Sequence, residues 1–158
     1  CIILLTNCNT NEENAIPSGY DDLYDLHSRD KGVITIGMPV FVFKLFIDRS
    51  NEQVKEAMEQ IETIDLFIKE EAEDAFTDEV MRHFPSRTYK NLYGSNTDEA
   101  EIRLLVKEKK ERVDELIMVA NEKENKNLVI MRIGGDFNFK DIERLAEKID
   151  VNDLVKYR

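Results

Sequence analysis

Residues 128–145 read LVIMRIGGDFNFKDIERL, and this stretch contains the features that decide the fold. Val129, Met131 and Ile133 alternate along one face of a predicted strand, and Leu128, Ile130 and Arg132 form an opposite face that is only partly polar. Gly134-Gly135 is predicted to end the strand as a turn in which glycine permits a positive φ. The pattern after it predicts a final helix with Asn138 as its N-cap, Phe137 and Ile142 as a staple, and a buried stripe of Ile142, Leu145, Ala146 and Ile149.

Three further strand-like runs precede this strand, at 88–93, 100–106 and 113–120. Polar connections at 94–96, 107–112 and 121–127 separate the four runs. Short polar connections favour antiparallel neighbours, so the second half of the chain is predicted to be a four-stranded antiparallel meander.

The first half of the chain alternates between helical and strand-like patterns. The predicted elements are a helix over 20–27 closed by Gly32, a strand over 33–36, a buried helix over 38–47, a helix from Ser50 to Ile61, a strand over 64–68, and a helix capped by Thr77 and ended by Pro85. The sum is an α+β fold, an antiparallel sheet of the C-terminal meander plus one or two earlier strands, with amphipathic helices packed on it.

The charge and cysteine content exclude several classes of protein. The formal net charge of −11 argues against binding to nucleic acid, which requires a basic surface. No run approaches the roughly 18 apolar residues that cross a bilayer. Both cysteines lie within the first eight residues, so the rest of the chain has no thiol nucleophile and no cysteine metal ligand.

The first residues of the chain predict its location in the cell. Ile2 to Leu5 resemble the end of a signal-peptide apolar region, and Leu5-Thr6-Asn7-Cys8 resembles the bacterial lipobox, although Asn7 replaces the usual small residue. We therefore predict that 1–7 is a signal-peptide remnant, 8–17 a flexible tether and 18–158 a single domain. Lipidation of Cys8 would hold the domain on a membrane of the cell envelope, periplasmic or surface-exposed. The alternative is a short buried strand over 2–6 at a sheet edge.

A family resemblance agrees with this interpretation. The helix-to-strand passage 21–36, the apolar stretch 38–46 and the strand, glycine pair and helix over 129–145 resemble domain-of-unknown-function family 4252, a group of uncharacterised lipoproteins found mainly in Bacteroidetes. The resemblance covers residues 20 to 150. It implies the envelope location and the fold, and it implies no activity and no catalytic residues.

The candidate chemical groups are few. His27 and His83, the two histidines, lie in no recognised metal-ligand or triad pattern, and we expect both to be structural. The acidic run 70–79 has no glycine where a calcium loop requires one, so we expect a solvated acidic face. We therefore predict no catalytic residue, no metal and no cofactor.

Two tyrosines are the candidate contact residues for a partner. Tyr89 and Tyr93 are four residues apart on one predicted strand and should share a face, where exposed rings could contact a partner protein or a sugar. The alternative is that both rings fill the edge of the core. The chain is thus expected to be a lipid-anchored, non-catalytic binding domain. Two alternatives stay open, a carboxylate-based and possibly metal-assisted hydrolase, and a purely structural envelope protein.

Overall fold

The computed structural model describes residues 19–45, 50 and 52–148, with no side-chain detail at 53 and 144–148. Residues 1–18 lie outside this part, and so do the predicted lipidation site, the tether and the tail. Eleven elements form the described chain: α1 (Tyr20–His27), β1 (Val33–Gly37), α2 (Val40–Phe43), α3 (Glu52–Glu59), β2 (Ile61–Lys69), α4 (Asp74–Arg82), β3 (Tyr89–Asn96), β4 (Ala100–Lys109), β5 (Arg112–Glu122), β6 (Leu128–Asn138) and α5 (Phe139–Lys148).

The strands of the described residues form one six-stranded sheet in the order β1-β2-β6-β5-β4-β3, and all neighbours are antiparallel. The predicted meander is confirmed as β3 to β6, and the two earlier strands extend it beyond β6. The fold is therefore α+β, as the sequence predicts. β1 and β3 are the two edge strands of this sheet.

Helices cover both faces of the sheet, which we name the α3 face and the α1 face. On the α3 face, the buried side chains Phe43, Val54, Ala57, Met58 and Ile142 pack over Ile64, Ile102, Leu116, Met131 and Phe137. On the α1 face, Tyr20, Leu23, Val80 and Phe84 pack over Phe67, Leu105, Ile117, Leu128 and Ile130. Because both faces are covered, Leu116 to Ala120 in β5 are all buried and read as a continuous apolar run.

The glycine pair of the opening stretch does not end β6, which continues to Asn138. A β-carbon on Gly135 would overlap with the carbonyl oxygen of Gln60, and one on Gly134 would overlap with Oγ1 of Thr63. Gly19 and Gly32 are the glycines with positive φ among the described residues. Glycine is thus required at 135 by the close approach of Gln60 in the α3–β2 connection, and Gly134 faces the side chain of Thr63 in β2. The predicted turn is wrong.

The predicted buried helix over 38–47 is reduced to the four residues of α2 in the described chain. Pro39 is extended, with ψ 133, so the helix cannot begin before Val40. Phe43 is buried, whereas Phe41 and Leu45 are 70% and 71% exposed. The last two residues of the predicted helix, 46 and 47, lie outside the described residues.

Two other helix boundaries differ from the prediction. α3 ends at Glu59, and Ile61 is instead the first, buried residue of β2. α4 begins at Asp74, because the N–H of Thr77 donates to the carbonyl of Glu73 at 3.0 Å and so belongs to the helix interior.

The cap of α5 is confirmed. The main-chain N–H of Lys140 donates to Oδ1 of Asn138 at 3.0 Å. Phe137 and Ile142, the predicted staple, are both completely buried. The other stripe residues, 145, 146 and 149, lie outside the described side chains, as does the predicted tail over 152–157.

Candidate functional site

The two candidate tyrosines lie on opposite faces of the sheet. A bulge between Asn91 and Tyr93 shifts the register of β3, so Tyr89 pairs with Lys107 and Tyr93 pairs with Leu104. Tyr89 is buried in the α1-face core, and Tyr93 is 48% exposed. The expectation of a shared face is wrong because one extra residue reverses the alternation. Tyr93 as a partner contact stays a prediction.

The other predicted features are distributed over the described residues. Cys8 lies outside them. The acidic run is largely exposed, as expected for a solvated face, and Glu79 contacts His27. Within the described residues, no cluster of three or more acids, histidines or cysteines has the arrangement of a metal site. Across residues 19–45 and 52–148, no helix has the length and hydropathy to span a bilayer.

His27 joins the end of α1 to α4. Its Nδ1 lies 2.7 Å from Oδ2 of Asp30, and its Nε2 lies 3.1 Å from Oε1 of Glu79. The ring also contacts Phe76 edge-on, with centroids 5.1 Å apart. A doubly protonated ring would donate to both carboxylates at once. The contacts hold two helices together, which fits the structural role expected of His27.

His83 follows α4 and lies beside His27, with ring centroids 6.2 Å apart. It is buried, and its Nδ1 has no hydrogen-bond partner among the described residues. Burial and then the neighbouring His27 lower the pKa of His83. The neutral form is therefore favoured in the folded protein.

Arg132 is the charged centre of the α1 face. Its Nε and Nη2 donate to Oδ2 of Asp65 at 3.0 and 2.6 Å, and its Nη1 donates to Oδ1 of Asp21 at 2.6 Å. The guanidinium carbon lies 4.6 Å from the ring centroid of Tyr20. Asp65 is on β2, directly opposite Arg132 on β6, and Asp21 and Tyr20 are on α1. We name these four residues the Arg132 cluster.

The Arg132 cluster fixes the first turn of α1 on the sheet. Burial disfavours the charge of Arg132, but the hydrogen bonds to Asp65 and Asp21 outweigh it and raise the pKa. Burial and the nearby Asp65 raise the pKa of Tyr20, so its ring stays neutral. Because its partners come from one strand, β2, and one helix, α1, Arg132 joins β6 to both of these elements.

Tyr89 extends the polar region next to this cluster. Its hydroxyl donates to Oε1 of Glu115 at 2.7 Å. Burial, followed by this hydrogen bond, raises the pKa of Tyr89. A β-carbon on Gly19 would lie 3.1 Å from the Tyr89 hydroxyl oxygen, so the chain entering α1 packs closely on it. Tyr89 is therefore a core residue with a satisfied hydroxyl.

The sequence held a signal for the Arg132 cluster. Asp65 is the one charged residue inside the apolar run 64–68, and Arg132 is the one inside 128–133. Opposite charges alone in two buried strands indicate a cross-strand pair. The third partner, Asp21, depends on where α1 docks, and no local pattern predicts it.

Exposed apolar side chains concentrate around β1. Ile34 and Ile36 are 45% and 44% exposed, and Phe41 and Leu45 follow them in the chain with larger exposure. Ile36 pairs with Leu66, which packs against the α3-face core, so the two isoleucines lie on the α3 face. We name these four residues the β1 apolar surface. It holds four of the seven large apolar side chains that are exposed in the described chain, the others being Tyr24, Leu26 and Tyr93.

The comparisons with known proteins assign the family. No curated protein matches the chain, and no solved structure matches it. A family model described as a domain of unknown function, DUF4252, matches residues 24–145. The matched range runs from α1 into α5 and contains all six strands of the sheet. Since it covers well over half of the 158 residues, the chain belongs to the DUF4252 family.

Proposed function

We propose that this protein is a lipid-anchored protein of the cell envelope that acts by binding another protein and not by catalysis. The observation that carries the binding role is the β1 apolar surface. It presents four large apolar side chains within residues 34–45 of a chain in which 35% of residues are charged. Exposed apolar residues grouped in this way are typical of protein contact sites.

The chemistry of the described polar groups supports the same proposal. Arg132, His27 and Tyr89 each have carboxylate partners that hold helices or strands in place. These polar side chains stabilise the fold, and the β1 apolar surface is the proposed site of recognition. The lipobox-like Leu5-Thr6-Asn7-Cys8 supports the anchor, because acyl chains on Cys8 would hold an acidic domain at a membrane.

Lipid labelling tests the anchor. The native host is grown with radioactive palmitate, and the protein is recovered with and without Cys8→Ala. We expect label on the wild type and none on Cys8→Ala, with Cys1→Ala as the matched control that keeps the label. Label that persists in Cys8→Ala would contradict the anchor.

Photo-crosslinking in the native host tests the binding role. A photoreactive phenylalanine analogue replaces Phe41 in the β1 apolar surface, and in a second strain it replaces the exposed Asp25 on α1 as a control. We expect a discrete protein adduct from position 41 and none from position 25. Equal yields at both positions, or none at either, would contradict a binding surface around β1.

A further inference from the structure

We propose that β1 pairs with β1 of a second copy of this chain, antiparallel and around a twofold axis at Thr35, so that two six-stranded sheets become continuous. The proposal goes beyond the binding role above because it names the partner of one sheet edge. It does not depend on the anchor at Cys8. Four features of the described residues carry it, namely the hydrogen-bonding edge, the residue pattern, the local charge and the contrast with β3.

The outer edge of β1 presents main-chain groups that no described residue binds. The N–H of Glu70 donates to the carbonyl oxygen of Gly32 at 2.9 Å, and the N–H of Met38 donates to the carbonyl oxygen of Ile64 at 2.8 Å. Between these bonds the register of β1 on β2 is unbroken. Hydrogen-bonded and non-hydrogen-bonded pairs alternate in an antiparallel ladder. Since Gly32 and Met38 are hydrogen-bonded to β2, the main-chain groups of Ile34 and Ile36 between them are also hydrogen-bonded to β2.

The main-chain N–H and carbonyl groups of the other β1 residues therefore point away from β2. Thr35 and Gly37 each present an N–H and a carbonyl, and Val33 presents its carbonyl, since its N–H already donates to Asp30 at 3.1 Å. No described segment of the chain lies along this edge. An extended strand of a partner can satisfy all of these groups at once.

The sequence of β1, VITIG, complements itself. In a twofold antiparallel pair centred on Thr35, the two Thr35 residues exchange two hydrogen bonds. Each Gly37 N–H donates to a Val33 carbonyl of the other copy, which gives four bonds in total. Ile34 of one copy then faces Ile36 of the other in the closer, non-bonded type of pair. Four half-exposed isoleucines become buried together on the α3 face.

The lack of charge in β1 also permits a pair of copies. The charged residues lie one strand further in, on β2, where Lys69 is opposite Val33 and Asp65 is opposite Gly37. Asp65 is already paired with Arg132, and Nζ of Lys69 donates to the carbonyl of Lys31 at 2.9 Å. β1 itself carries no charge that would oppose contact in a chain of net charge −11.

The opposite edge of the sheet has features that prevent such pairing. β3 contains a bulge between Asn91 and Tyr93, a glycine at 94, and Lys90 paired with Glu108. Bulges and edge lysines are the usual means by which proteins block edge-to-edge contact. β1 has neither a bulge nor a lysine over its five residues. Pairing through β1 alone gives a closed dimer and not a fibre.

Sedimentation equilibrium of the full 158-residue chain tests the proposal, with both cysteines changed to serine so that no disulfide links the copies. We expect mass to rise from the 18.4-kDa monomer towards twice that value between micromolar and millimolar concentration. A pair of five-residue strands is expected to bury less than the standard interface of about 800 Å² per partner, so a weak dimer is expected.

Thr35→Pro should weaken the dimer at least about tenfold, because proline removes an outward N–H that β2 does not use. Thr35→Val keeps that N–H and should dimerise like the wild type. A monomer at every concentration would overturn the proposal and leave an unlike protein as the partner. The proposal would also be overturned if the protein is a monomer and Thr35→Pro lowers its free energy of unfolding while Thr35→Val does not. In that case another segment of the same chain would cover the edge of β1.

A charge exchange separates the proposed pairing from other dimers. I34K/I36K places lysine opposite lysine across the axis and should abolish the dimer, whereas I34K/I36E places lysine opposite glutamate and should restore it. I34K/I36K changes the net charge from −11 to −9, and I34K/I36E leaves it at −11. If repulsion between the net charges of two copies controlled dimer formation, I34K/I36K would therefore dimerise more strongly than I34K/I36E. Equal dimerisation of both variants would overturn the proposal. If these dimerisation tests fail but the analogue at position 41 gives a protein adduct in the host, self-pairing through β1 is refuted and the proposed binding role is retained.

Discussion

Arg132 lies between apolar neighbours in β6, and its charge is balanced by carboxylates from β2 and α1. Its side chain is 18% exposed and that of Asp65 is 28% exposed. Arg132→Leu would leave Asp65 partly buried without its cation, so we expect a loss of about 2–4 kcal/mol in the free energy of unfolding. Urea denaturation measures this loss. The matched control is Arg112→Leu, whose partner Asp136 is 71% exposed, and it should cost at most about 1 kcal/mol. Equal losses would contradict the role of the Arg132 cluster.

Gly135 is required by space and not by backbone conformation. Gly135→Ala would place a β-carbon in overlap with the Gln60 carbonyl oxygen and 2.6 Å from the Phe137 ring, so the backbone must move. We expect a loss of more than about 2 kcal/mol, measured by thermal or urea unfolding. In Gly94→Ala the nearest atom would be 3.9 Å away, and the change should be within about 0.5 kcal/mol. A tolerated Gly135→Ala would contradict the close approach.

His83 should make stability depend on pH. Its pKa is lowered in the folded state by burial and by His27, while Asp22 and Glu79 act in the opposite direction and Arg82 in the same direction. The unfolded chain therefore binds the proton first, and stability falls as the pH drops below about 6.5. The unfolding free energies of wild type and His83→Leu, measured from about pH 8 to 5, should diverge as the pH falls, to the disadvantage of the wild type. A constant difference would contradict the assignment.

At the scale of elements, the β4–β5 hairpin closes with a two-residue turn that its residues do not favour. Lys110 and Glu111 have φ of 51 and 65, the left-handed values of a type I′ turn. K110N/E111G supplies the residues that this turn prefers and should raise the free energy of unfolding by about 1 kcal/mol. Glu111→Ala keeps a β-carbon and should bring no gain. A destabilised K110N/E111G variant would contradict the turn assignment.

The element boundaries show what local pattern predicts well. Alternation and caps predict the strands of the meander and the start of α5, because each signal lies within a few neighbouring residues. α2 and the Tyr89–Tyr93 pair are predicted wrongly for a different reason. An extended Pro39 and a bulge in β3 each alter the backbone at one residue, and periodicity assumes that the backbone is regular.

At the scale of the whole molecule, the order of strands and the use of each edge lie beyond the reach of sequence pattern. Ile34 and Ile36 were predicted to be in a strand, but their exposure results from the position of β1 at the edge. The same holds for Gly134-Gly135, where the connection from α3 passes close to β6. These features depend on contacts between residues distant in sequence. The candidate surface could therefore be found only once the sheet order was known.

The proposed role of the protein combines an anchor at Cys8 with contact through β1. The most direct test of this role is photo-crosslinking in the native host with the reactive analogue at Ile36, followed by separation of membrane and soluble fractions. Tyr93 is the matched control, since it has similar exposure but lies on the β3 edge. We predict an adduct of twice the chain mass from position 36, absent from position 93, in the membrane fraction. An adduct of that mass at neither position, or a wholly soluble protein, would contradict the proposed role.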